Sequence, residues 1–512
     1  NGEIYNFRDL NGTFFPNEKF DSDTVLLQRI IEKVGVRQAI DLVQGMYAFA
    51  FYDLLSDVGY LARDGHGEKP LYYLEIDNSV YFGSEIKSLV PLSNSDIDEA
   101  SLLSYIQFGF VNNKEGTIYQ NIKRVLPGEL IIFDNHETRH EFSRVSVEFS
   151  SKKPRENAVI FEDLFLKSVQ RSCVSDVPLS LLFSGGLDST AVLLAMRELG
   201  YSPDVFTLGF ANKGFDESAR ALRLAKQIGV NVNVVDFNEK NLIHKFEDAY
   251  AKFDEPLADV SIIPLNDLYA VVGDSYKGVL TGDGGDEYQK GYSRHAMLDS
   301  ILFNSLKKFP LASKKLIAQA SSRSKLLSLI YGDDSAIMAS RLSKLKVMIE
   351  RDFSYQSMFG SPFSFENARH EEVSILRILE RDICEYLPNN IFYKSDTLSM
   401  SHSVESRSPF VQQELTNWLS RNIPNNSKEY TKGFIDKYLM TQYPASVKRG
   451  FVSPVKTWLE NDLREDYMLI LSHFGILYWA AVGDDNFRWR IYVLCKWLIR
   501  NGFKDFPLMS IL

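Results

Sequence analysis

Ser184-Gly185-Gly186-Leu187-Asp188-Ser189-Thr190 is the stretch whose reading decides the fold. It follows a short apolar run at 177–183, interrupted by Pro178, and precedes Ala191-Val192-Leu193-Leu194-Ala195-Met196. The run reads as a buried parallel strand and the sequel as a helix with an apolar face. A strand, a tight glycine turn and a helix start together make an anion site. The glycines let the backbone approach closely, and the first N–H groups of the helix point at the ligand. Ser184, Ser189 and Thr190 can add hydroxyl donors. The loop lacks the Gly-Lys-Ser/Thr ending whose lysine reaches the β- and γ-phosphates in a Walker loop. That absence fits a grip on departing pyrophosphate rather than on a transferring γ-phosphate.

Working outward, 512 residues leave room for two to four domains and an ample core. The net charge of −10 argues against a nucleic-acid or anionic-membrane surface. Cys173, Cys384 and Cys495 are far apart and form no Cys-x-x-Cys pair, which predicts a reducing setting and no zinc site. No apolar run approaches the ~18 residues of a membrane span. A cytoplasmic protein with small-molecule partners, neither nucleic acid nor membrane, is the expectation. The chain begins at Asn1, inside what reads as a structured motif, and is expected to be the remainder of a longer one.

Residues 1–90 are β-rich. Aromatic segments at 46–52, 59–62, 71–75 and 80–83, separated by turn residues, read as successive strands of one antiparallel sheet, with a helix at 23–34 packed on a face. A strand is predicted at 130–133 and a linker at 150–158. From residue 157 the pattern alternates: a helix at 161–172, the glycine turn, a strand at 205–210, a helix after Asp216-Glu217-Ser218, and a strand at 230–235. This βαβα order predicts a doubly wound parallel sheet with ligands at the carboxyl ends of its strands. A further strand, 278–280, runs into Thr281-Gly282-Asp283-Gly284-Gly285-Asp286-Glu287. Three acids among three glycines predict a tight loop rather than a helix. Concentrated carboxylates suit magnesium plus a base, and Asp188 and Asp286 are the metal candidates. Residues 301–311, 336–347 and 371–387 read as helical without recognisable chemistry.

The glycine turn resembles the pyrophosphate loop of the ATP-pyrophosphatase superfamily, whose members adenylate an oxygen of their substrate. Other motifs narrow the resemblance. Asn1-Gly2-Glu3-Ile4-Tyr5-Asn6, Ser22-Asp23-Thr24, Gly45-Met46-Tyr47-Ala48-Phe49-Ala50, Arg63-Asp64 with Gly67 and Lys69-Pro70-Leu71-Tyr72-Tyr73, and Ser84-Glu85-Ile86-Lys87 resemble the glutaminase domain of asparagine synthetases. Thr117–Asn121 with Pro127-Gly128 resemble the connecting segment. Asp254-Glu255-Pro256 with Asp259 and Ser261, Lys394 through Phe410, and Lys448-Arg449-Gly450-Phe451 resemble the synthetase half.

The resemblance implies an incomplete N-terminal-nucleophile glutaminase β-sandwich of the α+β type at 1–95, a connecting segment at 96–156, and an α/β synthetase domain at 157–512 with a helical insertion at about 295–390. It implies that Asn1 and Gly2 form an oxyanion hole and that Glu3 and Asp23 hold the α-ammonium of glutamine. The family's N-terminal cysteine nucleophile is not among the three cysteines, so the glutaminase half is expected to be inactive in this chain as it stands. On the synthetase side, Leu182 and Leu208 would flank adenine. Ser184, Gly185, Gly186, Asp188, Ser189, Thr281 and Gly282 would hold ATP and pyrophosphate, and Asp188 and Asp286 would hold magnesium. Asp283 stands where synthetases place an acid and β-lactam-forming relatives place a tyrosine, which favours deprotonating ammonium. Lys432, twelve residues before Pro444, has the spacing of the family lysine that contacts the adenylate phosphate. His402 reads as a helix-packing or hydrogen-bonding residue rather than a catalyst. The resemblance also admits a homodimer.

The activity implied is ATP-dependent synthesis of asparagine from aspartate, with glutamine or ammonia as nitrogen donor, through a β-aspartyl-adenylate. Two departures bear on the acceptor: Val411-Gln412 where the family has Leu-Asp, and Thr397 where it has arginine. They keep open an amidotransferase acting on a sugar-acid or peptide carboxylate in surface-polymer or natural-product synthesis. A non-catalytic, nucleotide-binding descendant is the rival from another class.

Overall fold

A computed structural model describes residues 1–77, 79–93, 96–134, 138–142, 154–210, 216, 218–292, 295, 378–439, 443, 454–477 and 485–510. The helical runs expected at 301–311 and 336–347, the first part of that at 371–387, and the motif at 448–451 lie outside the described residues.

In the N-terminal half, strands β1 (Gly2–Ile4), β2 (Gly45–Asp53), β3 (Val58–Arg63), β4 (Tyr72–Ile76), β5 (Ser79–Gly83), β6 (Lys123–Arg124), β7 (Glu129–Phe133) and β8 (Thr138–Phe142) form two antiparallel sheets, ordered β1-β2-β3-β7-β8 and β5-β4-β6. The aromatic segments therefore do not share one sheet. The division falls at the turn after β3. There the Asp64 carboxylate accepts from the backbone N–H groups of His66, Glu68 and Lys69, each at 3.0 Å. The Arg63 guanidinium donates to the carbonyls of Gly67, Lys69 and Val125. A turn held this tightly, and followed by Pro70, carries β4 out of the first sheet.

Period-two alternation then stacks the layers. Tyr47, Ala62, Leu130 and Ile132 face the helices Asp23–Val34 and Val36–Leu42, whereas Ala48, Leu61 and Ile131 face Tyr73 and Leu71 of the second sheet side. The strand expected at 130–133 in a connecting segment is thus β7, an inner strand of the first sheet paired with β3. Likewise, the stretch expected as linker already contains the start of the helix Pro154–Ser172.

In the C-terminal half, β9 (Leu179–Leu182), β10 (Asp204–Phe210), β11 (Val232–Phe237), β12 (Gly278–Leu280) and β13 (Glu405–Arg407) form one sheet ordered β11-β10-β9-β12-β13, with every pair parallel. β9 begins only after Pro178, which has no N–H to give to a ladder. The strand order runs outward in both directions from the β9/β12 pair, so the topological switch point lies between these two strands. The glycine turn follows β9 and the acid-rich loop follows β12, which brings both to the same crevice. The helix Leu187–Glu198 is buried from Ser189 through Met196, on more than the one apolar face expected.

Buried ion pairs join the halves. Lys69 Nζ lies 2.8 Å from Asp396, and Arg124 Nη2 lies 3.0 Å from Glu255. A small cavity at this junction is lined by Arg63, Glu68, Tyr72, Arg124, Asn389 and Asp396 among others. No described helix is long and apolar enough to cross a membrane.

Candidate active site

The glycine turn has the shape its residues dictate. Gly185 adopts φ +67°, and a Cβ there would lie 2.9 Å from the Ala221 Cα, so only glycine lets the loop sit this close to the helix Ser218–Ile228. Asp216 Oδ1 accepts from the Ser218 N–H at 3.0 Å, at the start of that helix. Within the turn, the Gly186 N–H donates to Ser184 Oγ at 3.2 Å, and Ser184 Oγ lies 3.3 Å from Ser189 Oγ. Leu182 pairs in register with Phe206, so Leu208 lies next along β10 on the same face. Both leucines are half-buried at the carboxyl end of the sheet.

The acid loop packs directly onto the start of the helix Leu187–Glu198. A Cβ on Gly282 would stand 2.9 Å from both the Asp188 Cβ and the Ser189 N, and one on Gly285 would stand 2.6 Å from Asp188 Oδ1. Contrary to the sequence expectation, part of this loop is helical: Gly285–Tyr288 forms one turn. Gly284, at φ +85°, reverses the chain so that the turn can start, and Asp286 and Glu287 then lie in its first turn, where negative charge suits the helix dipole.

The ammonium that lies between Asp188 and Asp286 is that of Lys428. Lys428 Nζ lies 2.5 Å from Asp188 Oδ1 and 2.9 Å from Asp286 Oδ1, and its side chain is 3% exposed. Lys432 is exposed and donates to the Ser427 carbonyl at 2.9 Å. The two lysines are four residues apart, and the spacing from Pro444 selected Lys432. One local signal pointed to Lys428. Lys428 caps the N-terminus of the helix Glu429–Tyr438, where the dipole disfavours a cation, so a lysine there needs carboxylates from elsewhere to hold it.

Asp283 is half-buried, and Thr281 Oγ1 donates to it at 3.1 Å. Burial pushes its carboxyl above the ordinary range, and the charges of Asp188 and Asp286 add to that, against the opposing pull of Lys394 and the Thr281 hydroxyl. Lys394, on the helix Tyr393–Ser401, donates to Asp259 at 2.7 Å and to Ser261 Oγ at 3.0 Å. Burial works against ionised Asp259, but Lys394 and the Ser261 hydrogen bonds outweigh it and hold this carboxyl low. His402 Nε2 donates to Asn266 Oδ1 at 3.0 Å, at the end of the same helix.

The N-terminal corner gathers its four expected residues. Gly2, at φ +126°, pairs with Tyr47, and a Cβ there would clash with the Met46 carbonyl. Asn1 Nδ2 donates to Ser84 Oγ at 3.3 Å, and Asp23 Oδ2 accepts from the Ile4 N–H at 3.0 Å. Glu3 lies 3.4 Å from Arg407 of β13. Burial nonetheless lifts its carboxyl to about 7, with Arg407 pulling the other way. Cys173, Cys384 and Cys495 are free thiols, and burial raises each, that of Cys173 to about 12.

The asparagine synthase family model matches residues 161–474, and a glutamine amidotransferase domain model matches residues 1–143. Asparagine synthetase [glutamine-hydrolyzing] 1 of Bacillus subtilis (strain 168) is 28% identical over 91% of this chain and 77% of its own length. Amidase chry2 of Gibberella zeae is 23% identical over 94% of this chain and 81% of its own. Among solved structures, the glutamine-dependent NAD+ synthetase of Acinetobacter baumannii aligns over 68% of this chain and 88% of that one, at TM-score 0.22 and 13% identity, too low to support any inference. The larger family match spans more than half of the chain and contains the glycine turn, the acid loop and Lys428, and on that basis the chain belongs to the asparagine synthase family.

Proposed function

We propose that this protein joins ammonia to a carboxylate through an acyl-adenylate, and that aspartate is the acceptor and asparagine the product. The observation that carries the reading is the convergence of Asp188 and Asp286, from two loops at the switch point, on the single ammonium of Lys428. The triphosphate of ATP would lie on the backbone and hydroxyl donors of 184–189, with adenine between Leu182 and Leu208. The residues present suit magnesium: it takes one or two carboxylates and completes its shell with phosphate oxygens and water, and Asp188 and Asp286 already enclose one cationic group. When bound there, it would neutralise charge on the phosphate oxygens.

A carboxylate is a poor electrophile, and adenylation gives it AMP as a leaving group. The acceptor, held beside Asp259, Ser261 and Lys394, attacks the α-phosphorus, and the bond to pyrophosphate breaks. Lys428 supplies positive charge at the five-coordinate phosphorus. Ammonia then attacks the acyl carbon, AMP departs, and Asp283, with its raised proton affinity, takes the proton that the nitrogen loses. The nitrogen would come from free ammonia or from glutamine bound at Asn1, Gly2, Glu3 and Asp23, passing inside the protein so that it is not protonated on the way. Incubation with ATP, magnesium, ammonium and aspartate should yield AMP, pyrophosphate and asparagine in equal amounts. Cleavage to ADP and phosphate would overturn the reading.

Gln412 favours a second acceptor class. It is buried at the start of the helix Gln413–Arg421 where the resemblance expects an aspartate. A neutral amide there suits a sugar-acid or peptide carboxylate, and a screen of carboxylates with ammonia separates the two readings by which one releases AMP.

A further inference from the structure

Tyr443 stands over the glycine turn, and nothing in the reaction described above employs it. Its hydroxyl donates to the Gly185 carbonyl at 2.8 Å. Arg220 Nη2 in turn donates to that hydroxyl oxygen at 2.6 Å, with the guanidinium carbon 5.9 Å from the ring centroid. Arg220 lies on the helix Ser218–Ile228, next to the Ala221 backbone that closes over Gly185. The chain of contacts therefore runs from helix to phenol to one particular carbonyl.

That carbonyl belongs to the peptide between Gly185 and Gly186, the most permissive link in the loop. Two glycines flank it, so rotation of the whole peptide plane meets little steric resistance. The consequence for an anion is large, because a planar trans peptide carries its C=O and N–H on opposite sides. In the observed orientation the Gly186 N–H lies on the side of the Ser184 hydroxyl. Rotated by half a turn, the same peptide would present a carbonyl oxygen to the phosphates. A guanidinium donating to the phenol oxygen strengthens the phenol as a donor, since hydrogen bonds in a chain polarise one another.

We propose that Tyr443, backed by Arg220, is a positioning residue that holds the Gly185–Gly186 peptide in its anion-binding orientation and so sets the affinity of the loop for the pyrophosphate end of the nucleotide. This rests on the reading of 184–190 as a pyrophosphate loop, and the experiment separates the two. Titration with magnesium pyrophosphate and, independently, with AMP should show binding of both by the unaltered chain. Tyr443→Phe keeps the ring and removes the donor. It should weaken pyrophosphate about five- to tenfold, the worth of one hydrogen bond, and leave AMP affinity unchanged. Arg220→Gln should act in the same direction to a smaller extent, and the double variant should be no weaker than Tyr443→Phe alone. Pyrophosphate affinity unchanged in Tyr443→Phe overturns the positioning role, and so does an equal loss for AMP, the mark of a general disturbance. Failure of the unaltered chain to bind pyrophosphate overturns the loop reading itself.

Discussion

Lys69–Asp396 and Lys428–Asp188 are both close ammonium–carboxylate pairs with a buried lysine, at 2.8 and 2.5 Å, yet they stand in different surroundings. At the junction of the halves one ammonium meets one carboxylate. Lys69 is 1% exposed, and its own backbone N–H is held by Asp64. At the crevice one ammonium is shared by two carboxylates, in a space walled by Gly282, Gly285 and Gly291, each of which would collide with Asp188 or Asp286 if it carried a Cβ. The junction pair joins the two halves, with Arg63, Glu68 and Arg124 lining the same small cavity. The crevice pair is enclosed on glycine backbone beyond the ends of β9 and β12. Both lysines are buried, so burial does not separate the two pairs, whereas the glycine lining does.

The sharpest way to break this comparison is Lys69→Met. Removing one partner leaves a carboxylate enclosed at the junction, and the expected loss is about 3–5 kcal/mol of stability, read from urea unfolding. Asp188→Asn should do the opposite, leaving the unfolding midpoint near its original value while lowering AMP release roughly 10²–10³-fold. If both variants lose stability alike, the contrast between the regions is wrong. Next in size, Lys428→Met should slow AMP release by about 10–10²-fold, while Lys432→Met, on the exposed face of the helix Glu429–Tyr438, should change it less than about twofold. Equal effects would return the role to Lys432.

The smallest effect concerns Glu3. Its carboxyl, lifted to about 7 by burial, carries a proton below that pH and cannot hold an α-ammonium. Glutamine affinity should therefore rise several-fold as the pH climbs from about 6 to 8, and Glu3→Gln should flatten the profile. The same raised proton affinity makes folding stability fall as the pH rises through about 7, since the unfolded carboxyl ionises earlier. A profile unchanged in Glu3→Gln would detach Glu3 from glutamine.

The placement of much of the candidate site was legible because its motifs are local. The turn at 184–190 and the acids at 283–287 each follow a strand, and strand ends in a parallel sheet are where loops meet ligands. The helix at 23–34 was readable to the residue because Ser22 caps it and Gly35 ends it. What spacing could not reach were contacts made across the chain. Lys428 is defined by carboxylates 240 residues and more than 140 residues away, and no local spacing records either contact. The split of the aromatic segments into two sheets hinged on one aspartate gathering three backbone N–H groups, which no alternation of side chains records. The helical turn at Gly285–Tyr288 was missed because composition argued for a loop, whereas Gly284 in the left-handed region reset the backbone.

By itself, then, the sequence determined the kinds of element and the chemical types at their ends: strand, glycine turn, helix, acid loop, and an N-terminal corner of Asn1, Gly2, Glu3 and Asp23. Backbone preferences and apolar periods act over a few residues and survive being read in one dimension. Which lysine lies between Asp188 and Asp286, which strands share a sheet, and which carboxylates tie the halves together were decided only by the tertiary structure. Charge and packing are set by distance in space, and a chain of 512 residues brings together partners that its order keeps apart.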